Sequence, residues 1–97
     1  MNKLYKFMRN RKGQLNGVVL ATIVNNTVRT GWSKCNESAG DIFDKERAIL
    51  IAEGRAKNGL GSNAPIVPRG YCFELTKIAN RGKSYFKMPV YGTPAEK

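Results

Sequence analysis

Guanidinium and ammonium groups are the side chains of this sequence best suited to chemistry. Arg9, Arg11 and Lys12 crowd a turn around Asn10 and Gly13, where they form either a solvated hairpin tip or a contact for phosphate. Arg55 follows Gly54 and stands among Ala48, Ala52 and Ala56, small neighbours that suit a buried or ligand-facing guanidinium. Lys45 and Arg47 are spread in angle around the same segment and make no single basic stripe of the kind a groove-reading helix concentrates. The sequence has no histidine, which removes the commonest general base and metal ligand. Ser-His and Cys-His nucleophile pairs and ordinary zinc catalysis are thereby excluded. Cys35 and Cys72 are too few for a disulfide or metal framework, show no CxxC spacing, and read as buried free thiols. With no nucleophile and base to pair, the protein is expected to bind rather than catalyse, without metal or cofactor.

Charge narrows the partners. Seventeen basic against seven acidic residues give a formal net charge of +10 at pH 7, so the natural ligand class is anionic: nucleic acid, a nucleotide, an acidic protein or a membrane face. No apolar run approaches the roughly 18 to 20 residues of a membrane span. Met1 to Lys12 carries no signal-peptide core after its positive charges, and a soluble cytoplasmic protein is expected. A chain of 97 residues makes a single domain with one modest core.

The elements that must position these groups are legible in outline. VVLATIV (18–24) and TVRTGWSKC (27–35) read as strands joined at Asn25-Asn26, a pair that tolerates the positive φ of a two-residue hairpin turn. In that register Ile23 faces Val28, Ala21 faces Thr30 and Val19 faces Trp32 on the core side. The opposite side, with Val18, Leu20, Thr22, Arg29, Gly31 and Ser33, is mixed and suits a second contact surface. KLYKFMR (3–9) alternates imperfectly but can add a third antiparallel strand.

Asp41 as N-cap and Asp44 in a capping-box position predict a helix over 42–57, stopped by Asn58 and Gly59. Residues 59–70, rich in Gly and Pro, read as a loop. Leu75, Ile78, Ala79, Gly82 and Phe86 form one helical stripe over 71–87, and 92–97 reads as a frayed tail. The fold class is α+β: a hairpin or three-stranded meander, then a central helix, then a second C-terminal helix.

The central helix is apolar all round. Phe43 and Leu50 share one face with the stem of Arg47, whereas Ile42, Ile49, Ala52 and Ala56 lie on another. One sheet covers one face, so the other is expected to meet the C-terminal helix, a second subunit, or both. Gly54 costs a helix interior about 1 kcal/mol against Ala, which points to close packing there.

Four motifs carry a family resemblance. GWSKCN (31–36), GDIFDK (40–45), IAEGRA (51–56) and IANRGKSYFK (78–87) together resemble small bacteriophage proteins, in particular the first type of Thoeris anti-defence sponge. Ala48 stands where the family pattern has Gly. The resemblance implies sequestration of a cyclic nucleotide immune signal, of the cyclic ADP-ribose or cyclic oligonucleotide type, by a homo-oligomer. A pyrophosphate needs converging guanidiniums or amide donors, and a base or ribose needs an aromatic platform. On that implication Arg29, Arg55, Arg69, Arg81 and Lys83 are candidates for the first role and Trp32 and Tyr71 for the second. Two other functions fit the charge alone: a nucleic-acid-binding or host-takeover protein, and an inhibitor that docks on an acidic host or defence protein.

Overall fold

The computed structural model describes residues 3–35, 40, 42–58, 67–68 and 70–90. Its elements are β1 (Lys3–Arg9), β2 (Leu15–Val24), β3 (Thr27–Lys34), α1 (Lys45–Asn58) and α2 (Tyr71–Phe86). The strands form an antiparallel meander with β2 in the middle, so the α+β order read from the sequence is present in its three-stranded form.

Turn chemistry sets the register. Asn25 and Asn26 have φ of 51° and 63°, the positive values a two-residue hairpin turn of this type needs. The Thr27 hydroxyl donates 2.7 Å to the Val24 carbonyl across that turn. Ile23–Val28, Ala21–Thr30 and Val19–Trp32 are partners, as the sequence predicts. In the other hairpin, Asn10 Oδ1 accepts the N–H groups of Lys12 and Gln14 at 2.9 and 3.0 Å. Arg9 Nη1 donates to the Gly13 carbonyl, which ties Arg9 into its own turn and leaves Arg11 and Lys12 exposed at the tip.

Both faces of the sheet are core, which corrects the expected layering. Val18 and Leu20 pack on Ala48, Ala52 and Ala56 of α1. Val19, Ala21 and Val28 pack on Tyr71 and Ile78 of α2. Side chains alternate along a strand, so α1 and α2 lie on opposite faces. The sheet is therefore the middle layer, in place of a central helix held between sheet and second helix. β1 alternates imperfectly for the same reason: Phe7 meets Phe43 edge-on at 6.0 Å on the α1 side, while Leu4 and Met8 pack on the α2 side.

Small residues let α1 lie close. Its Ala48, Ala52 and Ala56 recur every fourth residue and form the buried stripe. On the strand side Gly31 is essential to the approach, because a methyl there would overlap the Ala52 carbonyl oxygen and stand 2.8 Å from the Ala56 nitrogen. Gly54 is different from expectation: apart from its chain neighbours and its own helix backbone, no atom among the described residues lies within 4 Å of where its Cβ would stand. The close contact is made through a strand glycine, not the helix glycine.

The start of α1 also shifts, whereas α2 begins at Tyr71 as expected. α1 begins at Lys45, and Asp44 is its N-cap, with Oδ1 accepting the Arg47 N–H at 3.1 Å and its carbonyl accepting the Ala48 N–H at 2.9 Å. Asp41, most of the 59–70 loop and the 92–97 tail lie outside the described residues. Cys72 is exposed rather than buried, because it stands about 100° round α2 from the buried Tyr71. Cys35 is half-buried.

After α2 the chain returns to the sheet. The Val28 N–H donates 2.8 Å to the Pro89 carbonyl, and Val28 bridges Val90 in parallel. This covers the outer edge of β3 at one point, with a segment that carries no strand pattern in its residues.

Candidate functional site

Arg55 and Trp32 meet at the edge of β3. The Arg55 guanidinium carbon lies 4.4 Å from the centre of the Trp32 ring, and Nη1 donates 3.0 Å to the Trp32 carbonyl. Trp32 in turn meets Tyr71 edge-on at 5.9 Å between ring centres. Tyr71 is buried beneath β2, where its hydroxyl occupies the space a side chain at Gly17 would fill, so its ring is not an exposed platform. A guanidinium carries five N–H donors in a fixed plane. Stacking and one backbone bond hold that plane in place at Arg55.

The other expected residues fall elsewhere. Arg29 lies on the α1 face of β3, and its Nη1 stands 3.4 Å from the Lys57 carbonyl, so it serves the last turn of α1, where positive charge is favourable. Arg81 and Lys83 are both exposed, but at 100° per residue they stand about 200° apart on opposite flanks of the buried stripe of α2. Arg81 lines a groove with Lys6 and Lys77 beside β1. Arg69 lies outside the described residues. Thus Arg55, Trp32 and Tyr71 come together, and Arg29, Arg81 and Lys83 do not join them.

A cavity of about 430 Å³ lies on the seam between β3 and α1; Arg55 and Trp32 do not line it, but Ile51, one turn before Arg55, and Ser33, next to Trp32, do. Lys34 and Arg47 supply its positive charge, Asp44 a carboxylate, and Ile42, Phe43 and Ile51 apolar surface. Arg47, Ile51 and Arg55 follow one another at four-residue intervals, so each is one helical turn from the next on the same flank of α1. The cavity volume falls within the roughly 300 to 1,000 Å³ range of small-molecule sites. Lys34 and Arg47 were not singled out as ligands from the sequence. Arg47 reads there as a solvated stem, and only its convergence with Lys34 across two elements marks it.

Among the described residues no group of three or more Cys, Asp and Glu is placed to hold a metal ion. None of the helices among those residues is long and apolar enough to cross a membrane. The chain matches no protein-family model, no curated protein and no solved structure.

Proposed function

We propose that this protein binds and sequesters a cyclic nucleotide signal, of the cyclic ADP-ribose or cyclic oligonucleotide type, without transforming it. The observation that carries the reading is the cavity on the β3–α1 seam, with Lys34 and Arg47 in its lining and the Arg55–Trp32 stack one turn beyond. Phosphates suit the two cations, and the apolar surface of Phe43 and Ile51 suits a base or ribose face. Charge supports an anionic ligand throughout. Of the carboxylates among the described residues, Glu53 and Glu74 are already paired with lysines. The resemblance of the motifs from Gly31 to Lys87 to phage anti-defence sponges supports an immune signal as the ligand and the cytoplasm of an infected host as the setting.

A homo-oligomer belongs to the same reading. Leu50 is 67% exposed on the side of α1 turned away from the alanine stripe, and Ile42, 92% exposed, precedes the helix at the cavity. A second copy docked there would cover them and wall the nearby cavity.

The test is direct. Protein purified from an expressing cell is heat-denatured and the supernatant searched by mass spectrometry for a released nucleotide. Cyclic ADP-ribose isomers and cyclic di- and trinucleotides are then titrated in a thermal-shift assay. At least one should raise the melting temperature, and the shift should fall in Arg47→Ala and Arg55→Ala. Absence of both a released nucleotide and any shift sinks the sponge reading.

A further inference from the structure

A second cationic groove lies on the opposite edge and opposite face of the sheet from that cavity. It holds about 240 Å³ and is lined by Lys6 of β1 and by Glu74, Lys77, Ile78 and Arg81 of α2. Lys6 is on the α2 side of β1 because it pairs with Val19, whose side chain packs under α2. Lys77 and Arg81 are four residues apart and share the flank of α2 that faces β1. Three cations and one carboxylate thus line one groove. Beside them Phe73 is 66% exposed, with Lys77 Nζ 4.8 Å from its ring centre.

We propose that this groove holds one backbone phosphate of a single-stranded oligonucleotide, with a neighbouring base stacked on Phe73. The volume is below the roughly 300 Å³ at which pockets begin to enclose whole small molecules. It suits a phosphate group presented by a larger ligand. A cationic groove beside an exposed aromatic ring is the arrangement that binds single strands without reading their sequence, since the groove follows the backbone and any base can stack. Phe73 is a large apolar side chain on an otherwise polar flank of α2, and no packing role in the described structure accounts for its exposure.

Glu74 gives the proposal a signature of its own. Its carboxylate accepts from Lys6 Nζ at 3.0 Å in the groove that Lys77 and Arg81 also line. The Lys6 hydrogen bond, with the charges of Lys6 and Lys77, holds its pKa below the usual carboxylate range, so it is ionised at neutral pH. An incoming phosphate competes with this internal anion for the same donors. Removing the carboxylate while keeping the side chain's shape therefore strengthens binding.

The experiment measures anisotropy of a fluorescein-labelled 12-nucleotide oligo-dT against the intact protein at several salt concentrations. Inorganic phosphate and a cyclic dinucleotide serve as competitors. Lys77→Ala with Arg81→Ala should weaken binding at least about tenfold and flatten its salt dependence, since each phosphate contact on a single strand contributes about 0.7 to the slope of log K on log salt. Phe73→Ala should weaken it about fivefold or more, the low end of base-aromatic stacking. Glu74→Gln should tighten it several-fold. Lys45→Ala, which removes an exposed cation from α1 on the other face of the sheet, should leave it unchanged, which separates this groove from the net charge.

Competition by phosphate and the cyclic dinucleotide as strong as by unlabelled oligo-dT would overturn the strand as ligand in favour of a free phosphate ester. Oligo-dT binding unaltered by the double substitution and by Glu74→Gln, with circular dichroism showing the variants folded, would overturn the site itself. No oligo-dT binding at low salt would do the same.

Discussion

Arg55 reaches from α1 to close the outer edge of β3 at Trp32, donating to its carbonyl at 3.0 Å while its guanidinium lies 4.4 Å from the centre of the same residue's ring. Pro89 does the equivalent at Val28. Open strand edges invite pairing with other chains, so these two contacts protect one side of the sheet. Arg55 thus has a structural task alongside the ligand role proposed for it.

That double task predicts a graded outcome at position 55. A charge-assisted hydrogen bond and a partly desolvated cation–π contact together make Arg55→Ala about 1 to 2 kcal/mol less stable but still folded. Arg55→Lys keeps the charge and loses the planar fork, so it should recover only part of that. The sequence contains a single tryptophan, and it is the ring Arg55 covers. Urea unfolding followed by its fluorescence reports both the midpoint and the local environment. An unchanged emission maximum in native Arg55→Ala would show that the stack is not formed in solution.

Two glycines should respond in opposite directions. Gly31→Ala drives a methyl into the Ala52 carbonyl, and backbone cannot yield as a flexible side-chain tip does. The expected loss is about 3 kcal/mol, at the upper end of overpacking effects. Gly54→Ala meets no described atom within 4 Å and removes a helix-interior glycine, so it should gain up to about 1 kcal/mol. Chemical denaturation of both variants checks the pair. A destabilised Gly54→Ala would place a neighbour against α1 on that side.

The glycines also show what the sequence reveals and what it hides. The β2–β3 register was legible because two adjacent asparagines fix a turn, and a period of two then assigns every partner. The opposite face was legible only as a mixed surface that suits a second contact, not as core. A central strand covered on both sides reads as the unbroken run VVLATIV, and its partner positions Gly31 and Ser33 look like surface. Gly31 is there because α1 comes close, which is a property of the packed pair. At the site, Arg55 was legible from its small neighbours. Lys34 and Arg47 were not, since neither is unusual until β3 and α1 bring them to one cavity.

Acid should weaken the fold through Glu53. Its carboxylate accepts from Lys3 Nζ at 2.9 Å and lies 3.5 Å from Lys57 Nζ, joining β1 to α1. The Lys3 hydrogen bond is the main cause of a pKa below the usual carboxylate range, with both lysine charges adding to it against partial burial. A pKa lower in the folded than in the unfolded chain means the unfolded chain binds the proton more readily. The stabilisation is therefore complete above the ordinary glutamate pKa and is lost as pH falls through the folded value. The melting temperature should decline from about pH 5 downward, and Glu53→Gln should shallow that decline while changing little at pH 7, where a surface pair is worth at most about 1 kcal/mol. Identical acid limbs for the two proteins would remove Glu53 as a contributor.

The outward side of α1 makes the last prediction. Leu50 is 67% exposed on a helix whose buried contacts are supplied by its alanines, so the monomer gains little from it. Ile51, 38% exposed, lies beside it in sequence and also lines the seam cavity. If a second copy covers this side, Leu50→Glu buries a charge against apolar surface and separates the subunits, while the isolated chain keeps its stability. Light scattering coupled to size exclusion should then give an oligomer for the parent and a monomer for the variant. Any nucleotide-induced thermal shift should weaken with it, because the partner forms one wall of the cavity. A parent that is monomeric at all loading concentrations would leave the exposed leucine without this role and confine the ligand to a single chain.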